Sequence, residues 1–141
     1  MIRAVYDCNV MVSGIGWNGS ARQCLKLVAA RSVFLFVTNE ILAEYESIVP
    51  DTLKEEMPDM DPAPKLNWIR AKSRLVEPSP LGKRRSRDSK DDIYLAGALA
   101  ASAQYIVSYD ADLLVLEKPF GIEIIRPAEF IRRLGQKSML E

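Results

Sequence analysis

Four short apolar runs, separated by segments with helical spacing, constrain the fold of this chain more than any other feature. They are rich in β-branched and aromatic residues and cover residues 2–6, 33–37, 105–108 and 122–125. The run at 33–37 is apolar on both faces, which is typical of an inner strand of a parallel sheet. Because strands that alternate with helices indicate an α/β fold, we predict a central, mostly parallel sheet of four to five strands.

Helices are predicted between these strands from the spacing of apolar residues and from capping signals. Polar and glycine positions occupy residues 9–19, and a helix is predicted over residues 20–30. The next helix begins after Thr38 or Asn39 and is predicted to end at Pro50.

Prolines mark the middle of the chain, since six of the eight lie in residues 50–80. This stretch is predicted to contain short helices and loops rather than strands, with one helix over about residues 63–75. A further helix is predicted to begin at Ser89, with Asp92 three residues later in an arrangement like a capping box.

The C-terminal part carries the last helical signals. A single helical turn is predicted over residues 112–116, and a final helix has Pro127 at its first position. A chain of 141 residues is long enough to bury the core of one domain. We predict that this domain covers residues 1–134 and that residues 135–141 form a frayed tail.

The composition is that of a soluble globular protein, with 48% apolar and 27% charged residues. Nineteen Lys and Arg balance nineteen Asp and Glu, which argues against a general polyanion binder but leaves a local basic patch possible. No apolar run approaches the roughly 20 residues that span a bilayer, and the N-terminus does not resemble a signal peptide. We therefore predict a cytoplasmic protein that does not enter a membrane.

The absence of histidine restricts the chemistry that this chain can perform. It excludes Ser-His-Asp and Cys-His nucleophile systems, acid–base catalysis by imidazole, and metal sites built on histidine. Cys8 and Cys24 are too few for a zinc site of four thiolates and are predicted to be small buried residues. Catalysis would then use carboxylates, Lys, Arg, Ser, Thr or Tyr, and carboxylates select hard cations such as Mg²⁺ or Mn²⁺.

Acidic residues recur at the predicted carboxyl edge of the sheet, the edge at which α/β proteins bind ligands. Asp7 and Asp110 each follow a strand, and Glu44 lies in the helix after the second strand. Asp91 and Asp92 open a helix. Taken singly, these acids could complement a helix dipole, start a turn or lie on a solvated helix face. Gathered at one edge, they would destabilise the fold unless a divalent cation offset their repulsion.

Four motifs, in a fixed order, carry a resemblance to a known family. The first is an apolar strand, an Asp and a polar residue two positions on, Val5-Tyr6-Asp7-Cys8-Asn9. The second is a polar residue after a strand and a Glu on the next helix, within residues 38–45. The third is an Asp that opens an Ala-rich helix, within residues 88–100. The fourth is a strand followed by Ser, any residue and Asp, Ile106-Val107-Ser108-Tyr109-Asp110.

With these motifs the chain resembles the PIN domain, the nuclease fold of VapC-like toxins in type II toxin–antitoxin pairs, over residues 2–131. The resemblance implies a three-layer α/β/α fold and a metal-dependent endoribonuclease that hydrolyses RNA phosphodiester bonds. It also implies an RNA substrate, an antitoxin protein as partner, and a homodimer.

The resemblance further implies an acidic quartet that holds Mg²⁺ or Mn²⁺. Its members are Asp7, Glu44, Asp110 and either Asp91 or Asp92. Adjacent helical residues point about 100° apart, so one of the last two is expected to be the ligand, and Asp92 is preferred. The polar residues expected to support the quartet are Asn9, Ser108 and Asp112.

A basic segment precedes the third motif. Its cations are Lys83, Arg84, Arg85 and Arg87. They are predicted to bind RNA phosphates, with a solvated surface loop as the alternative interpretation. Two other functions stay open: a non-catalytic RNA- or protein-binding module on the same fold, and a phospho-receiver-like signalling domain. The receiver normally has a Lys closing its last strand, where this chain has Arg126-Pro127.

Overall fold

Five strands form one sheet, in which every neighbouring pair runs parallel. The computed structural model describes residues 1–85 and 91–140. Within them the strands are β1 (Ile2–Tyr6), β2 (Val33–Val37), β3 (Arg74–Leu75), β4 (Tyr105–Val107) and β5 (Glu123–Ile125). The predicted α/β fold with a central parallel sheet is therefore confirmed.

The strand order β3-β2-β1-β4-β5 places β1 at the centre of the sheet. The chain moves outward from β1 to β2 and β3, and then returns to the other side of β1 for β4 and β5. Because parallel crossovers are right-handed, connections that run in opposite directions lie on opposite faces of the sheet. They diverge at the carboxyl end of β1, and a crevice is left there.

Helices cover both faces of this sheet, which gives three layers. Within the described residues they are α1 (Cys8–Gly16), α2 (Ser20–Ala29), α3 (Asn39–Glu56), α4 (Ala63–Lys72), α5 (Asp92–Ala100), α6 (Ala111–Leu114) and α7 (Pro127–Leu140). On one face the hydroxyl of Tyr6 donates to the carbonyl of Cys24 in α2 at 2.9 Å. The ring of Phe130 in α7 meets the Tyr6 ring edge-on. The returning connection puts α5 against β1 and β2 on the opposite face.

Helix α1 is not predicted from the sequence, because Gly14 and Gly16 are poor helix formers. It forms because Asp7 caps its first turn and because most of its apolar side chains are buried. Gly14 lets α1 approach α2 closely: a Cβ there would lie 2.8 Å from Cδ1 of Leu25 and 3.0 Å from the carbonyl oxygen of Ala21. The glycines therefore mark helix packing rather than a loop.

Pro50 lies inside α3, so the predicted end of this helix is wrong. A proline in a helix interior removes one N–H donor and costs roughly 3 kcal/mol. Val49 and Leu53, on either side of it, are fully buried. Burial of each contributes about 1.5–3 kcal/mol, which offsets that cost and lets the helix continue to Glu56.

The proline-rich stretch contains β3, although the sequence predicts a helix up to residue 75 and no strand there. Helix α4 ends at Lys72, and residues 74–75 pair in parallel with Phe36 and Val37 of β2. A strand of two residues is too short to show any period in the sequence, so only its pairing with β2 defines it.

The last helices follow the prediction with small differences. Helix α5 begins at Asp92, and the predicted cap Ser89 lies outside the described residues. Helix α7 begins at Pro127 as predicted and continues past Gly135, where the sequence predicts a tail. In the described part of the chain, every helix is too short or too polar to span a bilayer.

Candidate metal centre

Asp7 lies at the crevice, directly after the central strand. Its side chain is buried, with 3% of its surface exposed. One carboxylate oxygen, Oδ1, accepts a hydrogen bond from the N–H of Val10 at 3.0 Å and so caps α1. The other, Oδ2, accepts a hydrogen bond from the hydroxyl of Ser108. Two elements of the fold therefore fix the position of this carboxylate.

The environment of Asp7 disfavours its charged form. The pKa of Asp7 is raised to about 6, chiefly by burial and to a smaller extent by the nearby carboxylate of Asp110. The hydrogen bonds from Ser108 and Val10 act in the opposite direction, because they stabilise the carboxylate. A buried acid that is costly to ionise is a marker of a functional site.

Ser108 connects Asp7, the acid of the first motif, to Asp110 of the fourth motif through hydrogen bonds. Its hydroxyl oxygen also accepts a hydrogen bond from the N–H of Asp110 at 2.9 Å. Asp110 in turn caps α6, since its Oδ1 accepts from the N–H of Asp112 at 2.8 Å. Side chains and backbone of residues 108–112 thus form one hydrogen-bonded turn beside Asp7.

Glu44 is held by a tyrosine that the sequence reasoning did not single out. The hydroxyl of Tyr94, on α5, donates to Oε1 of Glu44 at 2.6 Å. The same hydroxyl oxygen accepts a hydrogen bond from the N–H of Cys8, at the start of α1, at 3.1 Å. Tyr94 follows Asp91 by three residues, a helical spacing that could have flagged it.

Four acids from different segments line a single cavity of about 200 Å³, which we call the acid cavity. They are Asp7, Glu44, Asp91 and Asp110. Asn9 and Cys8 also line it. Carboxylate oxygens of Asp91, Asp110 and Asp112 lie within 4.8 Å of one another. Asp112, expected only to support the quartet, therefore belongs to the acidic cluster itself.

Asp92 points to a different place from Asp91, as expected for adjacent helical residues. Its Oδ2 accepts a hydrogen bond from the backbone N–H of Arg85 at 2.9 Å. It lines a neighbouring cavity, together with Thr38, Lys83 and Arg84. Asp91, not Asp92, lines the acid cavity. This reverses the preference for Asp92 that was drawn from the sequence.

The donor set of the acid cavity fits a hard divalent cation. The oxygens come from carboxylates, which are the protein ligands that Mg²⁺ and Mn²⁺ prefer. In the metal-free protein, burial raises the pKa of the Cys8 thiol to about 12, so this sulfur in the described lining stays protonated at neutral pH.

The basic segment lies beside this site, and the structure describes part of it. Lys83 and Arg84 line the neighbouring cavity with Asp92. The guanidinium of Arg85 instead donates to the carbonyl of Leu81 at 3.0 Å and lies 4.9 Å from the ring centre of Phe120. Arg87, predicted to bind RNA, lies outside the described residues.

Comparisons with known proteins agree with this fold and assign a family. No curated protein matches the chain significantly. The crystal structure of PAE2754 from Pyrobaculum aerophilum superposes with a TM-score of 0.60 at 17% identity, over 96% of this chain and 90% of that one, which shows a shared fold. The family model described as PIN domain matches residues 3–112, the span that holds all four motifs. The fold is thus of a nuclease type, its acidic cluster could hold a metal ion, and the chain belongs to the PIN domain family.

Proposed function

We propose that this protein is a metal-dependent endoribonuclease that hydrolyses RNA phosphodiester bonds with Mg²⁺ or Mn²⁺. The observation that carries the proposal is the convergence of Asp7, Glu44, Asp91 and Asp110 on one cavity at the carboxyl end of the central strand. Like charges in such a place are costly without a cation, and membership of the PIN family supplies the nuclease class.

Asp91, Asp110 and Asp112 would hold the cation, and Asp7 and Glu44 line the same acid cavity as Asp91 and Asp110. When bound, such a cation activates water and neutralises phosphate charge. The protein's own contribution is to hold these carboxylates in place. Ser108 fixes Asp7, Tyr94 fixes Glu44, and the N–H of Asp112 fixes Asp110.

RNA would enter along the neighbouring cavity, where Lys83 and Arg84 supply positive charge next to Asp92. Cations at this position attract the phosphates that flank the scissile bond. The position of these cations supports RNA as the substrate, because cations and acids lie side by side at the same edge of the sheet.

The test is cleavage of a labelled RNA by the purified protein. We expect cleavage with Mn²⁺, none after addition of a chelator, and none with Asp7→Asn. Cleavage by Asp7→Asn at the wild-type rate would overturn the proposal. Binding of RNA without cleavage, with Mn²⁺ present, would favour the alternative of a non-catalytic binding module.

We also propose that the protein is the toxin of a toxin–antitoxin pair, acts in the cytoplasm, forms a homodimer and is inhibited by an antitoxin. Resemblance to VapC-like toxins supports this role. Induced expression in a bacterial host should arrest growth with the wild-type chain but not with Asp91→Asn. Light scattering of the purified protein tests the dimer.

The phospho-receiver alternative loses its basis, since the chain belongs to the PIN family and Arg126 follows β5.

A further inference from the structure

A second charged cavity lies at the amino end of β2, the end of this strand that faces away from the acid edge of the sheet. Its volume is about 450 Å³, compared with about 200 Å³ for the acid cavity. Three exposed cations line it, Arg31, Lys72 and Arg74, and its described lining includes no carboxylate. We call it the cationic cavity. In a chain with zero net charge it is a local concentration of positive charge.

Among the described residues, no carboxylate forms an ion pair with any of the three cations of this cavity. Nearby Arg70, by contrast, pairs with Glu46 at 2.6 Å. Unneutralised cations that share a cavity repel one another, so an anion bound among them would be stabilised.

Contacts define the backbone position of Arg31 and the side-chain position of Arg74. Arg31 has a φ of 62° and ends α2, with its N–H bonded to the carbonyl of Val28 at 3.1 Å. Glycine usually occupies such a position, because a side chain there crowds the backbone. The guanidinium of Arg74 lies 4.0 Å from the ring centre of Phe34. Both side chains therefore begin from fixed anchor points at the cavity.

The cationic cavity and the cavity beside the acid cavity lie at opposite ends of β2. Arg74 packs on Phe34, and Arg3 lies over the buried ring of Phe36, on the same face of β2. Lys83 and Arg84 line the cavity next to the acid cavity, beside Thr38, which follows β2. The five residues of β2 span about 16 Å at 3.3 Å per residue, so an extended strand of RNA can bridge the two ends.

We propose that the cationic cavity binds backbone phosphates of the RNA strand whose scissile bond lies in the acid cavity. The inference rests on the proposed function and extends it to a second contact region. Its cations come from the ends of α2 and α4 and from β3. Three cations around a cavity of about 450 Å³ can contact more than one phosphate of an RNA chain.

The test measures affinity for single-stranded RNA by fluorescence anisotropy, with chelator present to prevent cleavage. The variants are Lys72→Gln and the double variant Lys72→Gln/Arg74→Gln. Lys54→Gln is the matched control, because Lys54 is also an exposed lysine in the last turn of a helix and lines none of these cavities. Each variant is measured with a trinucleotide and with a long oligonucleotide, over a range of salt concentrations.

For the long RNA, we expect about fivefold weaker binding per cation removed at 0.1 M salt, and a salt slope smaller by about 0.7 per cation. The trinucleotide and Lys54→Gln should show no change. Equal loss of affinity for both RNA lengths, or a double variant that behaves like Lys54→Gln, would overturn the inference. Competition by inorganic phosphate, with no dependence on RNA length, would assign the cavity to the free ion instead and would also overturn it.

The two proposals can fail separately in these measurements. If the protein cleaves RNA with Mn²⁺ but the cationic cavity does not affect long-RNA affinity, only the present inference fails. If the double variant weakens long-RNA binding but neither the wild type nor any variant cleaves RNA, the nuclease proposal fails. The assignment of the cationic cavity to RNA binding is then upheld.

Discussion

The hydroxyl of Tyr94 donates a 2.6 Å hydrogen bond to Oε1 of Glu44 and accepts another from the first N–H of α1. One buried side chain on α5 thus connects two other acid-bearing segments. It sets the rotamer of Glu44 and the position of the helix that Asp7 caps. Hydrogen bonds of this kind to the ligands of a metal centre orient them and tune their affinity.

We expect Tyr94→Phe to weaken Mn²⁺ binding about 10-fold, because loss of such an orienting contact typically costs 10–100-fold in metal affinity. Titration calorimetry with Mn²⁺ measures the change. The variant should also lose about 1–3 kcal/mol of stability, since the N–H of Cys8 is left without its acceptor.

Tyr45→Phe is the matched control for Tyr94→Phe. Tyr45 is equally buried, and its hydroxyl donates to the backbone carbonyl of Tyr6 rather than to a carboxylate. This variant should lose stability in urea but keep its Mn²⁺ affinity. If both tyrosine variants weaken Mn²⁺ binding to the same extent, Tyr94 has no specific effect on Glu44.

Asp91→Asn and Asp92→Asn should behave differently, although the residues are adjacent. Only Asp91 lines the acid cavity and clusters with Asp110 and Asp112, whereas Asp92 accepts from the N–H of Arg85. We expect Asp91→Asn to abolish measurable Mn²⁺ binding and Asp92→Asn to change it less than threefold. The opposite ranking in calorimetry would restore Asp92 as the ligand.

Asp7→Asn should stabilise the metal-free protein at neutral pH. The pKa of Asp7 is raised from 3.8 to about 6 by burial, so the folded state disfavours the charged carboxylate. Stability is therefore lost as the pH rises from about 4 to about 6, and the loss is complete above pH 6. Removing the charge should recover roughly 2–3 kcal/mol at pH 7 and nothing below pH 3.8.

Urea unfolding in chelator, at pH 7 and at pH 3.5, measures this difference. Other carboxylates titrate alike in both proteins, so only the gap between wild type and Asp7→Asn is compared. A variant less stable than wild type at pH 7 would show that Asp7 contributes more through its hydrogen bonds than its buried charge costs.

Ser108→Ala should move the onset of Mn²⁺ binding to higher pH. The hydroxyl of Ser108 lowers the pKa of Asp7, so its removal raises that pKa above about 6 and delays ionisation. A hydrogen bond to a charged group contributes roughly 1.5–3 kcal/mol, which corresponds to about one to two pH units. Ser108→Thr, which keeps the hydroxyl, should retain the wild-type pH midpoint, and an unshifted midpoint in Ser108→Ala would contradict the assignment.

Much of the fold follows from local sequence. The run at 33–37 predicts an inner strand because it is apolar on both faces, and the alternation of strands with helices leads to the parallel sheet. The prediction failed at α1 and Pro50, where glycine and proline disfavour a helix locally. Burial against other elements overrides those preferences, and no local pattern reports it.

The sequence alone determined that any metal chemistry here depends on carboxylates, because the chain has no histidine and its acids follow the strand ends. The tertiary structure decided which acids meet. The sequence favoured Asp92 over Asp91, and the packing of α5 brings Asp91 to the acid cavity instead. The contact between Tyr94 and Glu44 spans 50 positions. Contacts at such separations, and the burial that raises the pKa of Asp7, arise only when the segments pack together.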